Sequence, residues 1–199
     1  MKFKSFTKVM KKAVFSSEEA LRVAWQTDRK TALLQLHQWN KNGDLVRIKR
    51  GVYAFSEQSP NTAQLLPLLY APSYISLEYA LHFYGLLPDV VFTITAVSPR
   101  GTRKFQTPFG AFAFHKIQPQ LFWGYDPETL MGEREKVLLD YFYLKGEHLK
   151  ANPQFWEEQR FQNLEEIDFE KAERYAQHFQ SKKINSLLFS LKEFSHGTT

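Results

Sequence analysis

Hydrophobic residues near the start of the chain recur at helical spacing, with lysines between them. This pattern predicts a first helix with one buried stripe, formed by Phe3, Phe6, Val9, Met10 and Ala13. Ser16 and Glu19 then have the spacing of a capping box, which predicts a short second helix ending near Trp25. The next stretch has Thr27 or Asp28 as N-cap and Gly43 as stop, so we expect a third helix over about residues 29–41.

Two short β-rich runs, DLVRI and GVYAF, follow the third helix across a tight turn. Three helices and a two-stranded hairpin are the element order of a winged helix-turn-helix. In that fold the last helix enters the major groove of DNA and the hairpin, called the wing, lies on the adjacent backbone. The order therefore predicts a DNA-binding domain. The alternative is an ordinary charged hairpin on a solvated basic face.

The third helix divides into two sides when its residues are placed 100° apart. We expect the core side to hold Ala32, Leu33, Leu36, Trp39 and Asn40. The candidate DNA-binding residues of the helix are Arg29, Lys30, Thr31, Leu34, Gln35, Gln38 and Lys41. Glutamine can bond bidentately to adenine, leucine can pack on a thymine methyl, and threonine can bond several base edges. Arg29 and Lys30 lie at the helix start, within reach of phosphate or guanine.

The wing is expected to contribute cations that hold the DNA backbone, namely Arg47, Lys49 and Arg50. Leu45, Val52 and Tyr53 are available for packing, and Gly51 allows the turn a positive φ. We therefore expect the wing to supply affinity and the third helix to select the sequence.

The remaining chain alternates helical and β-rich patterns. We interpret residues 56–63 as a linker and residues 73–85 as a helix capped by Ser73 or Ser76. Residues 90–97 predict a strand, and residues 102–117 predict two strands. The run LFWGY is a further candidate strand. MGEREKVLLDYFYL predicts a helix that buries Val137, Leu138, Tyr141 and Phe142. Asp168 is expected to cap the first of two amphipathic helices in the last quarter of the chain. We expect their apolar stripes to dock on the middle domain, with a partner-binding surface as the alternative.

The predicted fold class is α+β, with three segments in order. These are an N-terminal winged helix-turn-helix over residues 1–57, a mixed α/β domain over 64–150, and a helical C-terminal extension over 151–199.

The distribution of charge along the chain supports a separate DNA-binding segment at its N-terminal end. Residues 1–55 carry 12 Lys or Arg against 4 Asp or Glu, a net charge of +8, whereas residues 56–199 carry 14 against 17, a net charge of −3. A basic segment on a mildly acidic body is typical of a nucleic-acid-binding module. The sequence has no cysteine, no signal-peptide pattern and no long apolar run, so we expect a cytoplasmic protein that does not enter a membrane.

Three motifs resemble the AbiEi-type antitoxins of type IV toxin–antitoxin systems and the transcriptional regulators built like them. The motifs are GDLVRIKRGVYAF (43–55), YISLEYALHFYGL (74–86) and MGEREKVLLDYFYL (131–144). The resemblance implies a winged-helix domain that binds inverted repeats in a promoter. It also implies a C-terminal domain that aids repression and neutralises a nucleotidyltransferase-like toxin.

The resemblance assigns no catalytic role within these motifs. We interpret Ser76 and Glu78 as helix-capping residues, and Glu135, Lys136 and Asp140 as a surface ion group. We expect no catalytic residue, metal ligand or cofactor. The expected partners are double-stranded promoter DNA, a second copy on that DNA, and a nucleotidyltransferase-like toxin. The alternatives are a standalone regulator without a toxin, and a nucleic-acid-processing enzyme targeted by its basic domain.

Overall fold

The computed structural model describes residues 1–25 and 28–197 and divides into two compact units. The first unit comprises Met1–Ala71 together with Phe105–Gly110, and the second comprises Pro72–Lys104 together with the chain from Ala111 onward. Helices and strands occur in both units, so the predicted α+β class is confirmed.

The first unit contains four helices and a small antiparallel sheet within the described residues. In chain order its elements are α1 (Phe3–Val9), β1 (Val14–Ser16), α2 (Ser17–Ala20) with a π-helical turn at Leu21–Trp25, α3 (Arg29–Lys41), β2 (Leu45–Lys49), β3 (Val52–Phe55) and α4 (Thr62–Tyr70). The strand order is β1-β3-β2, and Ala54 is the register partner of both Val14 and Val46. The three predicted helices and the hairpin are confirmed, whereas β1 and α4 were not predicted. The predicted stripe of α1 is wrong at Val9, which is 44% exposed, and at Ala13, which lies beyond the end of the helix.

Local signals set the helix boundaries in this unit. The Ser16 hydroxyl accepts from the Glu19 amide at 3.1 Å, and the Glu19 carboxylate accepts from the Ser16 amide at 2.9 Å, so the predicted capping box is present. Asp28 caps α3 by accepting from the Thr31 amide at 3.0 Å, and Gly43 follows the helix with φ +85°. Thr27, the other predicted cap, lies outside the described residues.

An aromatic core joins α1, α3 and the sheet. Phe6 is fully buried, stacks on Trp39 with ring centroids 5.0 Å apart, and meets Phe15 at 5.4 Å. Leu36 and Phe55 belong to the same cluster. Burial of each such side chain contributes about 1.5–3 kcal/mol, so the apolar stripes of α1 and α3 hold these helices on the sheet.

The segment that we interpreted as a linker leads into α4. Asn61 caps this helix: its side chain accepts from the Gln64 amide at 2.9 Å, and the Gln64 side chain accepts from the Asn61 amide at 3.1 Å. Leu65, Leu66 and Leu69 are buried. Because α4 is grouped with the first unit, the two units divide after Ala71 rather than within residues 58–63.

The second unit is built around a four-stranded mixed sheet. Its elements are β4 (Tyr74–Ile75), α5 (Leu77–Phe83), β5 (Thr93–Ser98), β6 (Arg103–Thr107), β7 (Gly110–Lys116), α6 (Arg134–Lys145), α7 (Pro153–Glu158), α8 (Phe169–Ala176) and α9 (Lys182–Gly197). The segment Phe105–Gly110, which holds the end of β6 and the first residue of β7, is grouped with the first unit. The strand order is β4-β5-β7-β6, with β4 antiparallel and β7 parallel to β5. The predicted strand at LFWGY (121–125) is wrong. Leu121 ends a 3-10 turn, residues 122–124 have no regular secondary structure, and Tyr125 makes an isolated antiparallel bridge with Gly132.

The C-terminal helices are part of the second unit rather than a separate extension. Helix α6 packs against α8 and α9, and α7 packs against α9. Trp156 is fully buried and its indole Nε1 donates to the Ser190 hydroxyl at 2.9 Å. Asp168 caps α8 as predicted, by accepting from the Lys171 amide at 2.8 Å. The predicted stripes therefore dock on the middle of the chain.

The predicted surface ion group is wrong. Lys136 and Asp140 are fully buried and Glu135 is 5% exposed, since α6 is covered on every side along this stretch. Ser76 occupies the N-cap position of α5, but its hydroxyl donates to Asp140 at 2.9 Å and makes no cap bond. Ser73 precedes β4 and caps no helix, because the strand intervenes.

Among the described residues, no helix is both long enough and apolar enough to cross a bilayer.

Candidate nucleic-acid interface

Helix α3 has one buried side and one exposed side. Ala32, Leu36 and Trp39 are buried, as predicted. Leu33 is 39% exposed, so its assignment to the core is wrong; at 100° per residue it lies at the border of the buried arc. Asn40 is half-buried, and its side-chain oxygen accepts from the Arg47 amide at 2.9 Å. This hydrogen bond ties the end of α3 to strand β2.

The exposed side of α3 carries most of the predicted residues. Lys30, Thr31, Leu34, Gln38 and Lys41 are all exposed, and Leu34 is 60% exposed despite its apolar side chain. At 100° per residue, Lys30, Leu34 and Lys41 fall within an arc of about 40°. The same arithmetic places the exposed His37 beside them, which the sequence interpretation missed although the signal was available.

Besides Thr31, which hydrogen-bonds Asp28, three predicted residues of α3 have side-chain partners in the described part of the chain. The Arg29 guanidinium lies 2.6 Å from the Glu18 carboxylate, and the side chain of Gln35, which is half-buried, accepts from the Met1 amino group at 2.9 Å. Gln38 donates to the side chain of Asn42 at 2.9 Å. These side chains would have to exchange their partners before contacting a base or a phosphate.

The β2–β3 hairpin carries two freely exposed arginines. Arg47 and Arg50 are exposed, and neither has an ion-pair partner within residues 1–25 and 28–197. Lys49 differs, because its ammonium donates to the Leu69 carbonyl at 2.7 Å and lies 5.5 Å from the centre of the Phe105 ring. Leu69 is in the last turn of α4, where the helix dipole attracts a cation. Lys49 is therefore held by its own unit.

The hairpin is fixed to the helices by its turn. The Ser17 amide donates to the Gly51 carbonyl at 2.8 Å. Gly51 has φ +76°, and a Cβ at this position would come within 3.2 Å of the Ser17 hydroxyl. Glycine meets both requirements, since it adopts positive φ freely and lets the two backbones approach. With the Asn40–Arg47 bond, this contact orients the hairpin relative to α2 and α3.

Acidic groups near this surface are held by local donors. Hydrogen bonds from Thr31 keep the pKa of Asp28 below its usual value. Burial opposes ionisation of Glu19, but hydrogen bonds from Lys12 and Ser16 outweigh it and lower the pKa of this carboxyl. Glu18 is paired with Arg29. Asp28 and Glu19 therefore stay ionised at neutral pH, and the positive sign of this segment comes from its excess of 12 Lys or Arg over 4 Asp or Glu in residues 1–55.

The described part of the chain contains no group of three or more His, Cys, Asp or Glu side chains placed to hold a metal ion. No model of a known protein family matches the sequence, and no curated protein is significantly similar to it.

Proposed function

We propose that the first unit binds double-stranded DNA as a winged helix-turn-helix, and that the protein regulates transcription from a promoter. In this proposal the exposed side of α3 enters the major groove and the β2–β3 hairpin lies on the flanking backbone. One observation carries it: an exposed helix face with Lys30 and Lys41 is joined to a hairpin with Arg47 and Arg50 by the hydrogen bond from the Arg47 amide to the Asn40 side chain. The net charge of +8 over residues 1–55 supports the same surface.

The exposed residues suggest a division of roles. Lys30, Lys41, Arg47 and Arg50 would neutralise phosphates and set the register of the protein on DNA. Thr31, Leu34 and Gln38 would contact base edges and so select the sequence. Lys49 is not assigned a phosphate, because its ammonium is bound to the end of α4.

The test is the salt dependence of binding to a fragment of the protein's own promoter, measured by fluorescence anisotropy. Each phosphate contact contributes a slope of about −0.9 to log K against log salt, so four contacts predict about −3.6 per bound copy. Replacing Arg47 and Arg50 with alanine should weaken binding to every DNA sequence. The loss of two phosphate contacts should make the slope less steep by about 1.8. The matched control is Lys182→Ala with Lys183→Ala, which removes two exposed cations from α9.

Equal effects of the two double variants would refute the assignment of the hairpin. A separate variant, Gln38→Ala, should change the preference between sequences by about 1–3 kcal/mol at one base pair while leaving nonspecific binding nearly unchanged. Binding stoichiometry on a fragment with inverted repeats would show whether two copies act together.

The resemblance to AbiEi-type antitoxins extends this proposal to the second unit, which would neutralise a nucleotidyltransferase-like toxin. Co-purification with the products of neighbouring genes tests this role. Recovery of a nucleotidyltransferase-like protein supports the antitoxin role, and recovery of none favours a standalone regulator.

A further inference from the structure

A cavity of about 570 Å³ opens in the first unit next to α4. Its volume lies in the range of about 300–1,000 Å³ typical of small-molecule sites. The apolar part is formed by Val14, which is 4% exposed, together with Ala13, Ala63 and Leu68, which are half-buried. This lining is large enough to cover a ring or a short aliphatic chain.

The rim of the cavity is polar and carries two cations. Lys11 and Lys12 are exposed on the segment between α1 and β1, and the amides of Gln58 and Gln64 stand on the α4 side. Gln64 uses its side-chain oxygen to accept from the Asn61 amide, so the nitrogen end is left as a donor. An apolar lining below two ammonium groups and amide donors is complementary to a small molecule with an apolar body and an anionic head.

One of these cations is already engaged by a carboxylate at the rim. Lys12 Nζ lies 2.5 Å from Glu19 Oε1, while Lys11 has no ion-pair partner in the part of the chain that the structure describes. The Lys12 side chain is 68% exposed and the Glu19 side chain 18% exposed. An anionic ligand would bind Lys11 directly and would compete with Glu19 for Lys12.

The same carboxylate connects the cavity to the proposed DNA-binding surface. Glu19 accepts from the Ser16 amide at the start of α2, and the neighbouring Ser17 amide donates to Gly51 in the hairpin turn. Glu18, on the same short helix, holds Arg29 at the start of α3. A change at the Lys12–Glu19 pair therefore acts on the element that positions both the hairpin and α3.

We infer that this cavity is a regulatory site for a small amphipathic anion, a carboxylate or phosphate attached to an apolar body. Occupation neutralises Lys11 and Lys12, draws Lys12 from Glu19, and weakens DNA binding. The regulatory part rests on the proposed function, whereas binding of the anion does not. Because the coupling is reciprocal, DNA should weaken binding of the anion by the same factor.

Phenyl phosphate is a suitable probe, with benzyl alcohol as the uncharged analogue and inorganic phosphate as the analogue without an apolar body. We expect calorimetric titration of the full chain to give a Kd of about 1 mM or tighter for phenyl phosphate, and much weaker binding of both analogues. Replacing Lys11 and Lys12 with alanine should raise the Kd for phenyl phosphate at least about tenfold. The matched control is Lys4→Ala with Lys8→Ala, which removes two exposed lysines of α1 that do not line the cavity.

A second variant, Ala63→Leu, fills the apolar part of the cavity without changing its charge. This variant should also bind phenyl phosphate more weakly than wild type. The effect on DNA is measured by anisotropy at constant ionic strength. Saturating phenyl phosphate should lower the DNA affinity of wild type about fivefold. It should leave the DNA affinity of the variant with alanine at Lys11 and Lys12 unchanged. Absence of binding to wild type, equal binding of benzyl alcohol, or unchanged DNA affinity at saturation would overturn the inference. If wild type binds the probe but no DNA, the proposed function fails and the regulatory role fails with it, while the titration still establishes the binding site.

Discussion

Removal of either member of the buried Lys136–Asp140 pair should destabilise the second unit strongly. Both side chains have no solvent exposure, and Lys136 contacts the Asp140 carboxylate one helical turn away. The Lys136 ammonium also donates to the Tyr74 hydroxyl at 2.7 Å and lies 5.1 Å from the centre of the Trp123 ring. Tyr74 and Ser76 both donate to Asp140, at 2.7 and 2.9 Å.

The magnitude follows from this burial. An exposed i,i+4 pair stabilises a helix by about 0.3–0.5 kcal/mol, whereas breaking a buried pair costs about 3–5 kcal/mol. We expect Asp140→Leu to be the more severe change, because Lys136 would retain only one hydroxyl and the aromatic rings. Lys136→Met leaves Asp140 with two hydroxyl donors and the option of taking a proton. We place the two losses near the upper and lower ends of that range.

The double variant shows whether the two single losses come from breaking the Lys136–Asp140 interaction or from crowding of the core by the new side chains. Lys136→Met with Asp140→Leu removes both charges but leaves two buried hydroxyls without acceptors, each costing about 1–3 kcal/mol. Its loss should therefore be smaller than the sum of the single losses by at least about 2 kcal/mol. The assay is urea unfolding of the full chain at pH 7, followed by fluorescence of its four tryptophans and fitted with separate transitions where the units unfold independently.

The single variants should also differ in the sign of their pH dependence. Burial raises the pKa of Asp140, so the folded Lys136→Met protein binds a proton that the unfolded chain releases, and its stability rises as pH falls through that raised pKa. Burial lowers the pKa of Lys136, so stability of Asp140→Leu rises as pH increases through that lowered pKa. Single losses below about 1 kcal/mol, or pH slopes of the same sign, would refute this account. Lys192→Met, which breaks an exposed pair, is the control and should leave the midpoint close to wild type.

Three further outcomes test the first unit. Gly51→Ala forces a side chain into positive φ and should cost about 1–3 kcal/mol in urea unfolding, whereas a loss below about 0.5 kcal/mol would contradict the turn geometry. Ser16→Ala removes the acceptor of the Glu19 amide and should cost about 1 kcal/mol by the same assay, with Ser16→Asp retaining most of the stability. Glu18→Gln releases Arg29 and removes a negative charge, so DNA affinity measured by anisotropy should rise about two- to fivefold; a decrease would show that the pair orients Arg29 productively.

Features decided by neighbouring residues were predictable from the sequence. The bounds of α3 match because Asp28, Gly43 and the apolar stripe all lie within the helix or beside it. Helix α4 was missed although Asn61 and Gln64 have capping-box spacing, because the polar stretch before it suggested a linker. Strand β1 had no readable signal, since three residues become a strand only by pairing with β3, about 40 positions away.

The candidate interface was predictable in its helix and less so in its side-chain partners. Exposure on α3 follows from a 100° rotation per residue, which correctly separates Leu36 from Leu34. The partners of Arg29 and Gln35 depend on where α2 and the chain start lie in space, and no local pattern records that. Spacing thus identifies a face, whereas tertiary contacts decide which members of the face are free.

Lys49 and Lys136 show why charge counted along a sequence is an upper bound on charge offered to DNA. Both were expected at the surface, but Lys49 neutralises the carbonyl end of α4 and Lys136 lies in the core beside Asp140. Each is held by a residue far along the chain, Leu69 in one case and Tyr74 in the other. The salt dependence of the proposed DNA binding should therefore follow the exposed cations rather than the +8 of the first 55 residues, because counterions are released only by cations that reach a phosphate.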